Sequence, residues 1–381
     1  MRAPPGSRAR SQFVGSSARR RLGGTARLSF PTVTASILSL PAADRWCAEM
    51  LPKVSRTFAL NIRFLPASLE RAVRVAYLLC RIADTIEDDG AADPALKASL
   101  LDRMLDAFEG PDAEARFLAE AQVIGGAADH VALVRGTGIV LLVFRDLPSA
   151  ARDRVQHWVT EMVVGMKKFV LRYPRGLRIE SLPEYREYCW YVAGTVGHML
   201  TDLWRAYDPR RFGAQQYDRL LARAKEFGEA LQTVNILKDI AWDAEHENAI
   251  YIPGQSLRAH GSSHETILSP AHEAANHAAV REYVELAWHD LDEALEYTLA
   301  IPRRHPAIRM FCILPLLMAQ ATLRDLEGSR AMLRRGGTVK ISRGEVKALL
   351  VVAPLLVMSN AGLRWLTSRV RRKPFVLAPA R

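Results

Sequence analysis

Residues 73–89 read Val-Arg-Val-Ala-Tyr-Leu-Leu-Cys-Arg-Ile-Ala-Asp-Thr-Ile-Glu-Asp-Asp. Asp84 and Asp88 stand four residues apart, so in a helix their carboxylates share one face with Cβ atoms ~5–6 Å apart. Like charges at that spacing destabilise a bare helix. The stretch before them is strongly apolar, which implies a helix that begins in a core and opens into a cavity at Asp84. A carboxylate pair on a cavity wall suits a hard cation such as magnesium, or manganese in its place. Taken alone the pair is weak evidence, because most such pairs are solvated helix faces.

A second stretch strengthens the reading. Residues 235–243 read Asn-Ile-Leu-Lys-Asp-Ile-Ala-Trp-Asp, placing Asn235, Asp239 and Asp243 at i, i+4 and i+8 on one slowly drifting stripe. Their neighbours Leu231, Val234, Ile236, Leu237, Ile240 and Trp242 are apolar. Charges set in a buried helix are costly unless paired or metal-bound. Two such stripes facing each other would form one polyanionic cleft, whose natural guest is a cation-bridged pyrophosphate. Ser55-Arg56-Thr57-Phe58 and Arg81, one turn before Asp84, add guanidinium forks suited to phosphate oxygens; alone, each arginine reads equally as a surface ion pair.

Outward from these motifs the helical period continues. Leu96, Leu100, Leu101, Met104, Leu105 and Phe108 form one stripe, closed by Gly110-Pro111-Asp112. Comparable stripes cover 44–60, 66–88, 113–144 (interrupted at Gly125-Gly126), 150–171, 184–206, 215–243, 270–299, 306–334 and 344–370. No useful strand alternation and no repeat period appear. The expectation is an all-α protein, one large helical domain over 44–375 followed by a tail at 376–381.

Composition excludes little. The chain of 381 residues is 49% hydrophobic and 24% charged, which is ordinary for a globular protein. Its net charge is +11, but residues 1–43 hold seven arginines and no acid, leaving +4 for the rest. The remainder is thus only mildly basic, and no nucleic-acid partner is expected. Residues 1–43, rich in Arg, Ser, Gly and Pro, are expected to be disordered. Their composition matches an organelle transit peptide; a start codon chosen too far upstream gives the same composition and is preferred. Cys47, Cys80, Cys189 and Cys312 form no CxxC pair and read as buried thiols of a cytoplasmic protein. The longest wholly apolar run, 348–358, is too short to span a bilayer of ~30 Å. The basic cluster Arg369, Arg371, Arg372 and Lys373 beside Trp365 and Phe375 offers contact with a membrane surface, though a solvated end is the commoner meaning.

Four blocks, Ser55–Phe58, Tyr77–Asp88, Tyr188–Gly197 and Gln232–Asp239, resemble the diagnostic blocks of the squalene/phytoene synthase family. The resemblance runs from about Ala43 to Phe375 and implies an isoprenoid-synthase helical bundle around a central apolar cavity. By position it makes Asp84, Asp88, Asn235, Asp239 and Asp243 ligands of magnesium and diphosphate. Ser55, Arg56, Phe58, Tyr77, Arg81, Gln232 and Phe311 would bind substrate, and Tyr188 matches the family's reactive tyrosine, for proton handling or cation shielding. Phe58, Met199 and Phe311 would line the tunnel, although ordinary core packing fits their spacing equally.

The reaction implied joins two farnesyl diphosphates through presqualene diphosphate, with NADPH reduction to squalene. Phe311-Cys-Ile-Leu-Pro315 and Thr338-Val-Lys-Ile-Ser-Arg-Gly344 resemble squalene synthase blocks, the second contributing Lys340 and Arg343 to the nicotinamide cofactor's phosphate. Three positions depart from the family pattern. Ser342 stands where a basic residue is usual, Trp242 where an acid is usual, and His246–Ala249 where an arginine precedes the Tyr/Trp-x-Pro. A non-reductive synthase making dehydrosqualene or phytoene, or one stopping at presqualene diphosphate, therefore stays open, as does a non-catalytic basic helical binding protein.

Overall fold

A computed structural model describes residues 38–373; the expectations placed on 1–37, on Phe375 and on the tail lie outside the described residues. In chain order the helices are α1 (Leu40–Val54), α2 (Arg56–Ile62), α3 (Ala67–Glu87), α4 (Pro94–Asp106), α5 (Pro111–Glu120), α6 (Ala128–Arg135), α7 (Thr137–Arg145), α8 (Ser149–Arg172), α9 (Leu182–Cys189), α10 (Thr195–Tyr207), α11 (Ala214–Trp242), α12 (Gly254–Ala259), α13 (Glu273–Ala300), α14 (Pro306–Glu327), α15 (Arg343–Leu356) and α16 (Asn360–Val370). Among the described residues there is no strand, only an isolated bridge between Arg178 and Ile250. The fold is all-α, a helical bundle with one continuous apolar core.

Local chemistry accounts for the boundaries. α1 starts at Leu40, inside the segment expected to be disordered, because Pro41 sits at its first turn, where a missing N–H costs nothing. The stripe at 44–60 breaks at Ser55, whose hydroxyl accepts the Phe58 N–H at 3.3 Å and caps α2. The stripe at 113–144 is three helices and a short 3₁₀ turn, since Gly136 divides it again. The stripe at 344–370 likewise splits, with Ser359 capping α16 through the Gly362 N–H.

α11 sits at the centre, packed on α10, α13 and α14. Its contact with the preceding segment is backbone on backbone. A Cβ on Gly197 would lie 1.8 Å from the Ala224 carbonyl oxygen, and one on Gly228 would lie 2.0 Å from that of Ala193. Only glycine lets the main chains meet so closely. Between α9 and α10 the chain widens into a π-helical turn at Trp190–Gly194, and a second follows α11 at Asp243–Glu247. α14 has the length and hydropathy to cross a membrane, but most of its apolar window is enclosed by the rest of the protein. All four cysteines are buried and unpaired.

Candidate active site

α3 and α11 together wall an apolar cavity of about 180 Å³, with Phe58, Tyr77, Arg81, Asp84, Met199, Gln232, Asn235 and Phe311 in its lining. Polar groups gather at one end of the α3 wall. Phe58 packs on Tyr77 with ring centroids 5.3 Å apart. The Tyr77 hydroxyl accepts from Arg81 Nη2 at 3.0 Å, and Arg81 Nη1 lies 3.5 Å from Asp84 Oδ2. The two substrate-binding expectations on this helix thus touch each other, and Arg81 also reaches the first aspartate.

The two acidic motifs meet. Burial pushes the Asp243 carboxyl up to about 9, reinforced by repulsion from Glu247, Asp239 and Asp88. Asp88 rises well above the carboxylate range through burial and repulsion from Glu247 and Asp84. Asp84 is raised by burial against the pull of Arg81. A cleft in which burial and mutual repulsion raise Asp84, Asp88 and Asp243 lacks positive charge, and a divalent cation is the chemistry that would supply it. Among the described residues no three acidic, His or Cys side chains form a ready-made cage. That suits magnesium, which keeps several waters and takes one or two carboxylates together with substrate phosphates. Asp84, Asp88, Asn235, Asp239 and Asp243 are the groups that would hold it.

A second chamber, about 510 Å³, adjoins the first and shares Phe58, Leu231, Asn235 and Pro315 with it. Arg56, Lys238 and Lys340 bring three cations to its wall. Arg343, at the first position of α15, is exposed and lines neither chamber. Ser342 accepts the Glu345 N–H at 3.1 Å, so the residue that departs from the family pattern serves as the cap of α15.

Tyr188 lines neither chamber. It is buried, packs against Phe169 and Tyr251, and its hydroxyl lies 3.4 Å from that of Tyr251. Burial, with the negative charge of Glu87 nearby, holds its phenol well above the usual range, so it keeps its proton. Tyr251 in turn lines a polar pocket of about 200 Å³ with Glu87, Asp88, Lys97 and Glu247.

Sequence reasoning missed Glu247, Tyr251 and Lys238. Glu247 enters the cleft because the π turn reverses course at Asn248, held in the left-handed region at φ 52°. Arg178 braces that turn, donating to the Asn248 carbonyl and side-chain oxygens at 2.6 Å each, which supplies an arginine where the neighbouring sequence lacks one. Trp242 lies exposed, stacked on His246. Asp89, adjacent to the first motif, accepts three backbone N–H groups, from Ala91, Ala92 and Gly125; it is a turn cap.

A model of the squalene/phytoene synthase family matches residues 51–345. The chain belongs to that family. Membership makes it a prenyltransferase enzyme and agrees with a prenyl diphosphate substrate. As a squalene/phytoene synthase it is 28% identical over 309 residues to a squalene synthase of Nicotiana benthamiana, covering 80% of this chain and 70% of that protein. Squalene synthase 1 of Arabidopsis thaliana is 27% identical over the same length, with the same 80% and 70% coverage. Among solved structures, TcSQS in complex with the ligand BPH1237 superposes with a TM-score of 0.73 at 24% identity, covering 87% of this chain and 93% of that one. Squalene synthase HpnC from Alicyclobacillus acidocaldarius gives 0.51 at 19% identity, covering 77% and 94%. These structural likenesses speak for the helical fold.

Proposed function

We propose that this chain joins two farnesyl diphosphates head to head, through presqualene diphosphate, and completes squalene with NADPH as reductant. The observation that supports it most is that the two acidic motifs share one electrostatic cleft, from which Asp84 and Asn235 open onto an apolar cavity beside Arg81 and Tyr77. In the first stage the C–O bond of one substrate breaks, its diphosphate leaves, and the double bond of the second attacks the allylic cation. Loss of a proton closes the cyclopropane. Magnesium bound at the acidic cleft would supply charge neutralisation for the diphosphate, and NADPH would supply the closing hydride.

The chain's own residues have distinct tasks. Arg81 grips a phosphate oxygen while its hydrogen bond to Tyr77 fixes its fork. Phe58, Met199 and Phe311 exclude water, and the faces of Phe58 and Tyr77 lie where positive charge develops. Tyr188, protonated and joined to Tyr251, acts as a proton relay toward Glu87 and Asp88 and not as a free phenolate. Lys340 and Arg56, with Lys238, would meet the phosphates of the nicotinamide cofactor in the second chamber; Arg343 has no part in this assignment. Ser55 serves substrate binding by fixing the start of α2, which carries Arg56 and Phe58. We further place the enzyme in the cytoplasm, at a membrane surface.

Purified protein incubated with farnesyl diphosphate and magnesium, with and without NADPH, tests the reading. Squalene is expected only with NADPH, and presqualene diphosphate without it. Dehydrosqualene in the presence of NADPH would replace the reductive assignment with a non-reductive one.

A further inference from the structure

α15 leaves one face uncovered. Lys347, Val351 and Leu355 recur at helical spacing on a single stripe of α15, with Pro354 beside them and Met358 in the turn just past its end, and all five are exposed. Leu355 is 78% exposed, Val351 66% and Met358 49%, whereas Leu349 and Ala353 on the opposite face are fully buried against the bundle. Apolar side chains repeated along one face at that exposure signify a partner surface more than chance. Trp365 on α16, 39% exposed, extends the apolar ground.

Charge identifies the partner. From Val346 to Arg381 the sequence contains no acidic residue but holds Lys347, Arg364, Arg369, Arg371, Arg372, Lys373 and Arg381. With these seven and the seven arginines of 1–43 set aside, 38 of the 52 Lys and Arg residues remain against 41 acids. The body between the two basic ends is therefore net negative, and its end is strongly positive. Arg364, Arg371 and Lys373 pair with Glu296, Asp292 and Asp325. Arg369 instead stands over the Trp365 ring at 5.7 Å, and Lys347 and Arg372 have no carboxylate partner among the described residues. Apolar side chains with a tryptophan between unpaired cations suit a helix lying in the interface of an anionic bilayer.

We infer that α15 and α16 form a docking surface for anionic lipid, on which the protein rests without spanning the membrane. This deepens the surface placement proposed above and rests on it, though not on the identity of the hydrocarbon made. The second chamber is lined by Val339, Lys340, Ile341 and Val346, so it reaches the first turns of the helix that docks. Docking would set the chamber that adjoins the apolar cavity close to the lipid.

Full-chain protein sedimented with vesicles tests this, comparing phosphatidylcholine alone with phosphatidylcholine containing one-third phosphatidylglycerol. Binding is expected to the anionic vesicles, weakening as salt is raised. Lys347→Glu should weaken it by roughly fivefold or more. The double variant Val351→Glu, Leu355→Glu should lower it by at least about tenfold while thermal melting and turnover of dispersed substrate hold, because both side chains face solvent. Equal vesicle binding by wild type and double variant would place docking elsewhere, for instance on 1–37, and overturn the inference. So would absence of binding to anionic vesicles, or a change from dimer to monomer in sedimentation velocity on making the double variant, which would make the covering partner a second copy of this chain.

Discussion

Replacing Asp243 by asparagine tests the electrostatics of the cleft without changing its shape. Its carboxyl ionises near 9 in the folded, metal-free protein against 3.8 as a free side chain. A group with a raised folded value contributes stability that is complete below the unfolded value and is lost as pH rises toward the folded one. At pH 7 the cost for this group is on the order of 4 kcal/mol. Asparagine removes that cost, and readjustment of the coupled carboxyls Asp88, Asp239 and Glu247 leaves a net gain of about 1–2 kcal/mol. Asp243→Asn should therefore melt several degrees above wild type at pH 8 without divalent cation, roughly 2–4 °C per kcal/mol. The gain should vanish near pH 4, where the wild-type carboxyl is neutral as well. Magnesium should raise the melting temperature of wild type, increasingly so as pH climbs toward 9, and should do little for the variant. Scanning calorimetry at pH 4, 6 and 8, with and without magnesium, reads all of this. A variant that melts at or below wild type at pH 8, or one that magnesium stabilises as much as wild type, would refute the account of a proton-filled cation site.

Asp84→Ala and Asp239→Ala should each abolish turnover while melting within a few degrees of wild type, because neither removal opens a core cavity; retained activity in either counts against the metal assignment. Lys340→Ala should slow the NADPH-dependent stage more than presqualene formation, measured by product analysis under single turnover, and equal loss in both would remove the reason for preferring squalene. Gly228→Ala should cost roughly 1–3 kcal/mol or more, since its Cβ would sit 2.0 Å from a main-chain oxygen, and an unchanged melting temperature would contradict the backbone contact.

The acidic motifs were legible because charge set in an apolar helix is expensive and so signals purpose. Asp84, Asp88, Asp239 and Asp243 indeed share one electrostatic environment. Helix identity followed from periodicity, whereas divisions at Ser55, Gly136 and Ser359 did not, because a cap or a short turn hardly disturbs an apolar stripe. Glu247 was hidden by its position past the helix end, where only the π turn and left-handed Asn248 bring it inward. Tyr251 lies 63 residues from the tyrosine it meets, and no local pattern announces such a pairing. Lys238 sits beside Asp239 in sequence and pairs with it, so it read as part of the apolar helix's spacing and not as a cation facing the second chamber. Arg343 shows the converse, since a motif position carried over by resemblance can face water.

Cys80 stands in the wall of the apolar cavity, almost wholly out of reach of solvent. Burial, aided by the negative charge of Asp84, drives its thiol far above the range where sulfur ionises. An allylic cation formed in that chamber would alkylate a thiolate and end the enzyme's life in one turnover. The desolvation that makes the wall greasy therefore also disarms its sulfur.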